Sequence, residues 1–153
     1  MVISLFSCNN GDKTAYIDMD KIFTDFEFTK QKKAEFENTV AKRKEITDKE
    51  KLRLQQIYKM FSETKNPDKK EMEKFQIDRQ VFEQKVQEDE QQNQAMEQQY
   101  SSEIWKQLKQ YLEDFRKDKG YTYIFIKANV IGDETKEVTK DATDFVNKKF
   151  KGQ

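Results

Sequence analysis

Histidine is absent from this sequence and cysteine occurs once, as Cys8. The usual His/Cys zinc sites, the Cys/His and Ser/His catalytic pairs and any internal disulfide are therefore excluded together. No metal, no cofactor and no catalytic residue is expected. Proline also occurs once and glycine four times, so few positions can interrupt a helix. No apolar run approaches the length of a transmembrane helix. Net charge is lacking too: 29 Lys and Arg face 29 Asp and Glu. A dedicated nucleic-acid binder needs a net basic surface to displace counterions from phosphates, so no nucleic-acid partner is expected.

What the chain does contain is charge without imbalance. Of its 153 residues 38% are charged and 35% hydrophobic, a ratio that disfavours a compact globule. Glu, Lys and Gln are good helix formers and breakers are scarce, which favours long helices over disorder.

At the front, Met1 to Cys8 is a short apolar stretch ending in Leu5-Phe6-Ser7-Cys8, similar to the lipobox of a bacterial lipoprotein. On that reading Cys8 is lipidated, residues 1–7 are removed and residues up to 13 form a tether. The alternative is a tail with a chance thiol.

Thr14-Ala15-Tyr16-Ile17-Asp18 reads as one strand. Asp18 or Asp20 caps a short helix carrying Ile22, Phe23, Phe26 and Phe28, and the chain then continues helical to Asn66. Asn66-Pro67-Asp68 is the hairpin tip, with Asp68 as the next N-cap and Glu71 completing a box-like signal. The second long helix meets no breaker until Gly120. At about fifty residues and 1.5 Å per residue it forms an arm of roughly 75 Å. Tyr121–Ile126 is the strongest strand signal, Asn129–Gly132 a shorter one, and Val138, Ala142, Phe145, Val146 and Phe150 mark one face of a closing helix.

Folding the arms back at Pro67 pairs positions whose numbers sum to about 133. Phe61 then faces Met72 and Ile57 faces Phe75 near the tip, while Phe36 faces Met96 and Phe28 faces Trp105 at the base. Between them the seam runs through Arg43, Thr47 and Glu50 on one arm and Arg79, Asp89 and Asn93 on the other, interrupted by Phe82 and Val86. A polar middle weakens a coiled coil and predicts flexibility there. The base is rich in aromatic residues, among them Tyr16, Phe23, Trp105, Phe115, Tyr123 and Phe125, with Ile17 beside them. Three short strands per chain are too few to cover these, which points to self-association through that end. Tyr58, Met60, Phe61, Met72 and Phe75 near the tip are candidate contacts for varied apolar partners, because Met and aromatic side chains adapt. Their plainer role is packing across the turn. Lys65, Lys69, Lys70 and Lys74 make the tip mildly basic, either as a contact for acidic partners or as a solvated surface.

Ala15-Tyr16-Ile17-Asp18-Met19-Asp20-Lys21-Ile22-Phe23 at the front, and Gly120-Tyr121-Thr122-Tyr123-Ile124-Phe125-Ile126-Lys127-Ala128-Asn129 followed by the 141–150 helix at the back, resemble the Skp/OmpH family. The resemblance spans roughly residues 14–150. It implies an α+β, mostly helical fold: a small β trimerisation body (14–30 and 105–150) with a helical-hairpin tentacle (31–104), three copies forming a jellyfish-like homotrimer. It also implies an ATP-independent holdase that shelters unfolded outer-membrane β-barrel proteins in the periplasm; membrane attachment through a lipidated Cys8 is the separate expectation of the lipobox-like start. The best-known members are strongly basic, and this chain departs from them with pI ≈ 6.4. Two other classes stay open: a structural coiled-coil spacer or adaptor lipoprotein with one folded partner, and an enzyme using paired carboxylates. No spacing of acids singles out such a pair.

Overall fold

The computed structural model describes residues 12–152, so Cys8 and its neighbours lie outside the described residues. Six elements follow in order: β1 (Thr14–Ile17), α1 (Met19–Asp25), α2 (Glu27–Glu63), α3 (Lys69–Asp118), β2 (Tyr123–Ile126) and α4 (Thr139–Phe150). The described residues divide into two compact units, one from 12–30 with 103–152 and one from Gln31–Ser102.

In the first unit β1 and β2 pair in parallel, with Thr14 opposite Tyr123 and Ile17 opposite Ile126. Parallel strands need a crossover, and here the crossover is the whole run of α1, α2 and α3. Asp18 stops the strand and caps α1, its carboxylate accepting from the Lys21 N–H at 3.0 Å. The expected short helix is distinct from the long one that follows, and the boundary falls at Phe26, inside the stretch read as the short helix. Phe26 takes an extended conformation, closing α1 through its N–H to the Ile22 carbonyl. Phe26 has no polar side chain to cap α2, and Asn147 of α4 does it instead: its Oδ1 accepts from Glu27 N–H at 2.8 Å while its Nδ2 donates to the Asp25 carbonyl at 3.2 Å. Burial drives the break, because the Phe26 ring is fully buried against Phe28, Tyr111 and Phe150. The core continues through Ile17, Ile22, Ile104, Leu108, Phe115, Ala142 and Val146.

Gly120 ends α3 as expected, in a left-handed conformation (φ 67°). Its N–H meets the Lys117 carbonyl and that of Tyr121 meets Arg116, the paired bonds of a Schellman cap. The strand expected at Asn129–Gly132 does not form. Lys127–Asn129 winds into a 3-10 turn whose Lys127 carbonyl takes the Val130 N–H, so that N–H is spent locally rather than on a ladder. The free edge of β1 is filled by Glu137 and Val138 instead, the Val138 N–H donating to the Tyr16 carbonyl at 3.0 Å. Two strands, not three, are therefore present among the described residues.

In the second unit Pro67 separates α2 and α3, and the Asp68 carboxylate accepts from Lys70 N–H at 2.7 Å. The two helices return along each other close to the expected register. Arg53 reaches Asp78 at 2.7 Å and Phe75 meets both Tyr58 and Phe61. Phe61 thus has Phe75 as a ring partner. In the first unit, Trp105 stacks on Phe23 at 5.0 Å and Phe28 lies against Phe150 at 5.3 Å.

Candidate functional site

Two surfaces are open where a water-soluble fold would ordinarily bury apolar groups. In the hairpin, Leu54 is its one buried hydrophobic residue among the described residues. Together with Phe75 and Phe82 it floors a groove between α2 and α3, and Tyr58 walls it. The spacing explains the floor, since Phe75 and Phe82 are seven residues apart on α3 and Leu54 and Tyr58 four apart on α2. Tyr58 stacks on Phe75 at 6.4 Å yet is 65% exposed. Lys51, Arg79 and Glu83 rim the groove. Nearby, Arg53 clasps the two helices, donating to Glu50 at 2.7 Å and to Asp78 at 2.7 Å. That bonding holds the Glu50 carboxyl below its ordinary range.

Of the five candidate contacts near the tip, Tyr58, Phe61 and Phe75 are brought together by ring contacts. Only Tyr58 and Phe75 line the groove; Met60 and Met72 are exposed outside it. Leu54 and Phe82 were not singled out from sequence as contact residues, although the i, i+4 and i, i+7 spacing above carried the signal. Lys65, Lys69, Lys70 and Lys74 are all exposed.

The aromatic base of the first unit divides in two. Tyr16, Ile17 and Phe115 are buried in the chain's own core, Phe115 in contact with Phe145 and Tyr121, and burial pushes the Tyr16 hydroxyl up in pKa. Phe23 is half-buried on Trp105. So one chain covers more of these rings than two or three strands could, because α1, α3 and α4 supply the walls. What stays open is β2: Tyr123 is 56% exposed, Phe125 49% and Ile126 is exposed too, while Ile131 and, on α3, Trp105 are also exposed. Tyr123 and Phe125 lie ring to ring at 6.1 Å.

Asp89 is the one buried acid among the described residues, and it is tied to Lys85 at 2.6 Å. No group of three or more metal-ligating side chains occurs among the described residues. No helix there is long and apolar enough to cross a membrane.

Comparison with known families decides what this arrangement belongs to. A family model described as "Outer membrane protein (OmpH-like)" matches residues 13–150, both ends and both arms included. The chain belongs to the OmpH-like family. Its fold is similar to the crystal structure of an OmpH-like outer membrane chaperone from Caulobacter crescentus, with a TM-score of 0.78 over 91% of this chain and 86% of that one. At 12% identity that likeness is one of fold. No match is found among curated proteins. Within the OmpH-like frame, the open groove and the open strand are the surfaces left to carry function.

Proposed function

We propose that this OmpH-like protein is an ATP-independent holdase chaperone of the cell envelope, holding unfolded outer-membrane β-barrel proteins in the periplasm. The observation that carries the reading is the groove of Leu54, Tyr58, Phe75 and Phe82, an apolar surface held open to solvent on a hairpin that hides almost nothing else. A holdase needs no reacting group. It lowers the concentration of free client by binding the unfolded state, and many weak apolar contacts give breadth of client. Tyr58 and Phe75 make those contacts from the groove, with Met60, Phe61 and Met72 adding adaptable surface around it. Lys65, Lys69, Lys70 and Lys74 meet acidic segments of a client or lipid headgroups.

The working form is a homotrimer, three copies burying Tyr123, Phe125 and Trp105 against one another and their hairpins enclosing the client. An exposed apolar edge strand such as β2 supports this, because an uncovered strand with open backbone groups is a template for pairing. Tyr16, Ile17, Phe23 and Phe115 serve that interface from behind, as the packed wall on which it rests. Cys8 attaches the assembly to a membrane through a lipid.

Light scattering of a urea-diluted outer-membrane barrel tests the reading. Near-stoichiometric protein should suppress aggregation, and Tyr58→Ser with Phe75→Ser should lose most of that effect. No suppression at excess protein, combined with capture of one stoichiometric folded partner from envelope extracts, would instead establish the spacer or adaptor.

A further inference from the structure

Midway along the hairpin, α2 and α3 meet through charge. Asp89 is only 7% exposed, and Lys85 Nζ donates to its Oδ1 at 2.6 Å while Arg43 Nε stands 3.9 Å from the same oxygen. Arg43 also donates through Nη1 to Asn93 Oδ1 and through Nη2 to Gln92 Oε1, the latter at 2.9 Å. One guanidinium from α2 thus grips three residues of α3. Arg43, Lys85, Asp89, Gln92 and Asn93 of the polar middle are thus engaged with one another.

The apolar part of the seam is poor at choosing an alignment. Leu54 and Phe61 lie one heptad apart on α2, as do Phe75 and Phe82 on α3, so a slip of seven residues exchanges apolar for apolar. Charge is not so tolerant. The same slip places Arg43 against Phe82 and Val86 in one direction, or Met96 and Tyr100 in the other, and strips Asp89 of its cross-helix partner. Either slip sets the half-buried Arg43 guanidinium against apolar groups in place of its three acceptors and leaves Asp89 with Lys85 of its own helix alone, which is costlier than an apolar mismatch.

We propose that Arg43, Asp89 and Asn93 form a register pin: positioning residues that admit a single alignment of α2 and α3 and so hold Tyr58 against Phe75 in the groove. What the groove binds rests on the holdase reading, whereas the alignment is measurable with no client present. Failure of one is thus distinguishable from failure of the other.

Pulsed dipolar spectroscopy of the full chain tests the pin. In a Cys8→Ser background, spin labels replace the exposed Lys42 and Gln80, sites offset along the hairpin so that a slip in one direction shortens their separation and in the other lengthens it. Excess unlabelled protein confines the reading to pairs within one chain. The natural cluster should give one narrow distance. Arg43→Leu with Asp89→Leu and Asn93→Leu should add a population displaced by up to about 10 Å, seven residues at 1.5 Å each. A helical triple variant with the unchanged single distance overturns the proposal. Should that variant lose helicity, reversal of the cluster decides. Arg43→Glu alone should broaden the distribution, and adding Asp89→Lys with Lys85→Glu should narrow it again; absence of that rescue overturns the proposal equally.

Discussion

The two units share α2 and α3, yet different forces hold them. In the first, Phe26, Phe115, Ile22, Leu108 and Val146 are fully buried and α4 seals them. In the second, Leu54 is the one buried hydrophobic residue among the described residues, and cross-helix cohesion comes from Arg43 and Arg53 with their carboxylate and amide partners. Apolar burial contributes roughly 25 cal/mol per Å², whereas exposed ion pairs contribute at most about 1 kcal/mol each. The first unit is thus equipped to be a fixed platform and the hairpin a compliant arm. A chaperone for clients of different size needs that division.

The sharpest way to break the comparison is to damage both sides alike. Phe115→Ala removes a fully buried ring in contact with Phe145 and Tyr121 and should cost about 3–5 kcal/mol. Urea unfolding followed through Trp105, stacked on Phe23, reads it; a cost below about 1 kcal/mol would mean the core has been misjudged. Leu54→Ala should cost less, about 2 kcal/mol, because the hairpin is open enough to relax around the loss. Hydrogen exchange should quicken within 31–102 and stay slow at Ile17 and Ile22. Equal quickening in both regions would contradict their independence.

Next in size is the joint between α1 and α2. Asn147→Ala leaves Glu27 N–H without its acceptor and should cost about 1 kcal/mol, the usual worth of a helix cap. Asn147→Asp keeps the acceptor but loses the donor to the Asp25 carbonyl, so it should retain more than half of that stability. Thermal melts of the three proteins give the order; Asp no better than Ala would remove the cap from the account.

Much of this was legible from residue order. Pro67 and Gly120 had to end helices, Asp18 was one of two candidates to start one, and the apolar positions of α4 fell on one face at helical spacing. Less visible was everything that depends on a distant partner. No local signal at Phe26 marks a helix break, since what stabilises it is Asn147, 121 positions later in the chain by subtraction of the two residue numbers. Asn129–Gly132 has strand composition, yet the edge it needed was taken by Glu137 and Val138. The tip contacts were half legible. Tyr58 and Phe75 follow from aromatic character, whereas Phe82 was read only as an interruption of the polar seam and Leu54 was not singled out.

The smallest effect expected concerns pH, and it too separates the units. Lys127 Nζ donates to Glu137 at 2.8 Å, Thr139 Oγ1 donates to the other Glu137 oxygen at 2.9 Å, and Asp18 N–H donates to Thr139 Oγ1 at 2.8 Å. These bonds hold the Glu137 carboxyl below its ordinary range, the Lys127 bond foremost. Glu113, bonded by Arg116 and Lys117, is lowered to about 2. A carboxyl lowered on folding adds stability above its unfolded value, near 4.3, and loses it as pH falls through the folded value. For Glu113 that window runs from about 4.3 down to about 2. Both groups are solvent-accessible, so salt should weaken the effect. Glu50 in the hairpin, lowered by Arg53, behaves with the same sign. The consequence differs, because Glu113 and Arg116 are neighbours on one helix, whereas Arg53 also reaches across to Asp78. Acidification from pH 6 to pH 3 should therefore raise hydrogen exchange around Arg53 and Asp78 before it raises exchange in α4. Glu50→Gln should bring that loosening to neutral pH, and Glu137→Gln should leave the hairpin untouched. Simultaneous loosening of both regions would show that a single cooperative unit, rather than a platform and an arm, responds to acid.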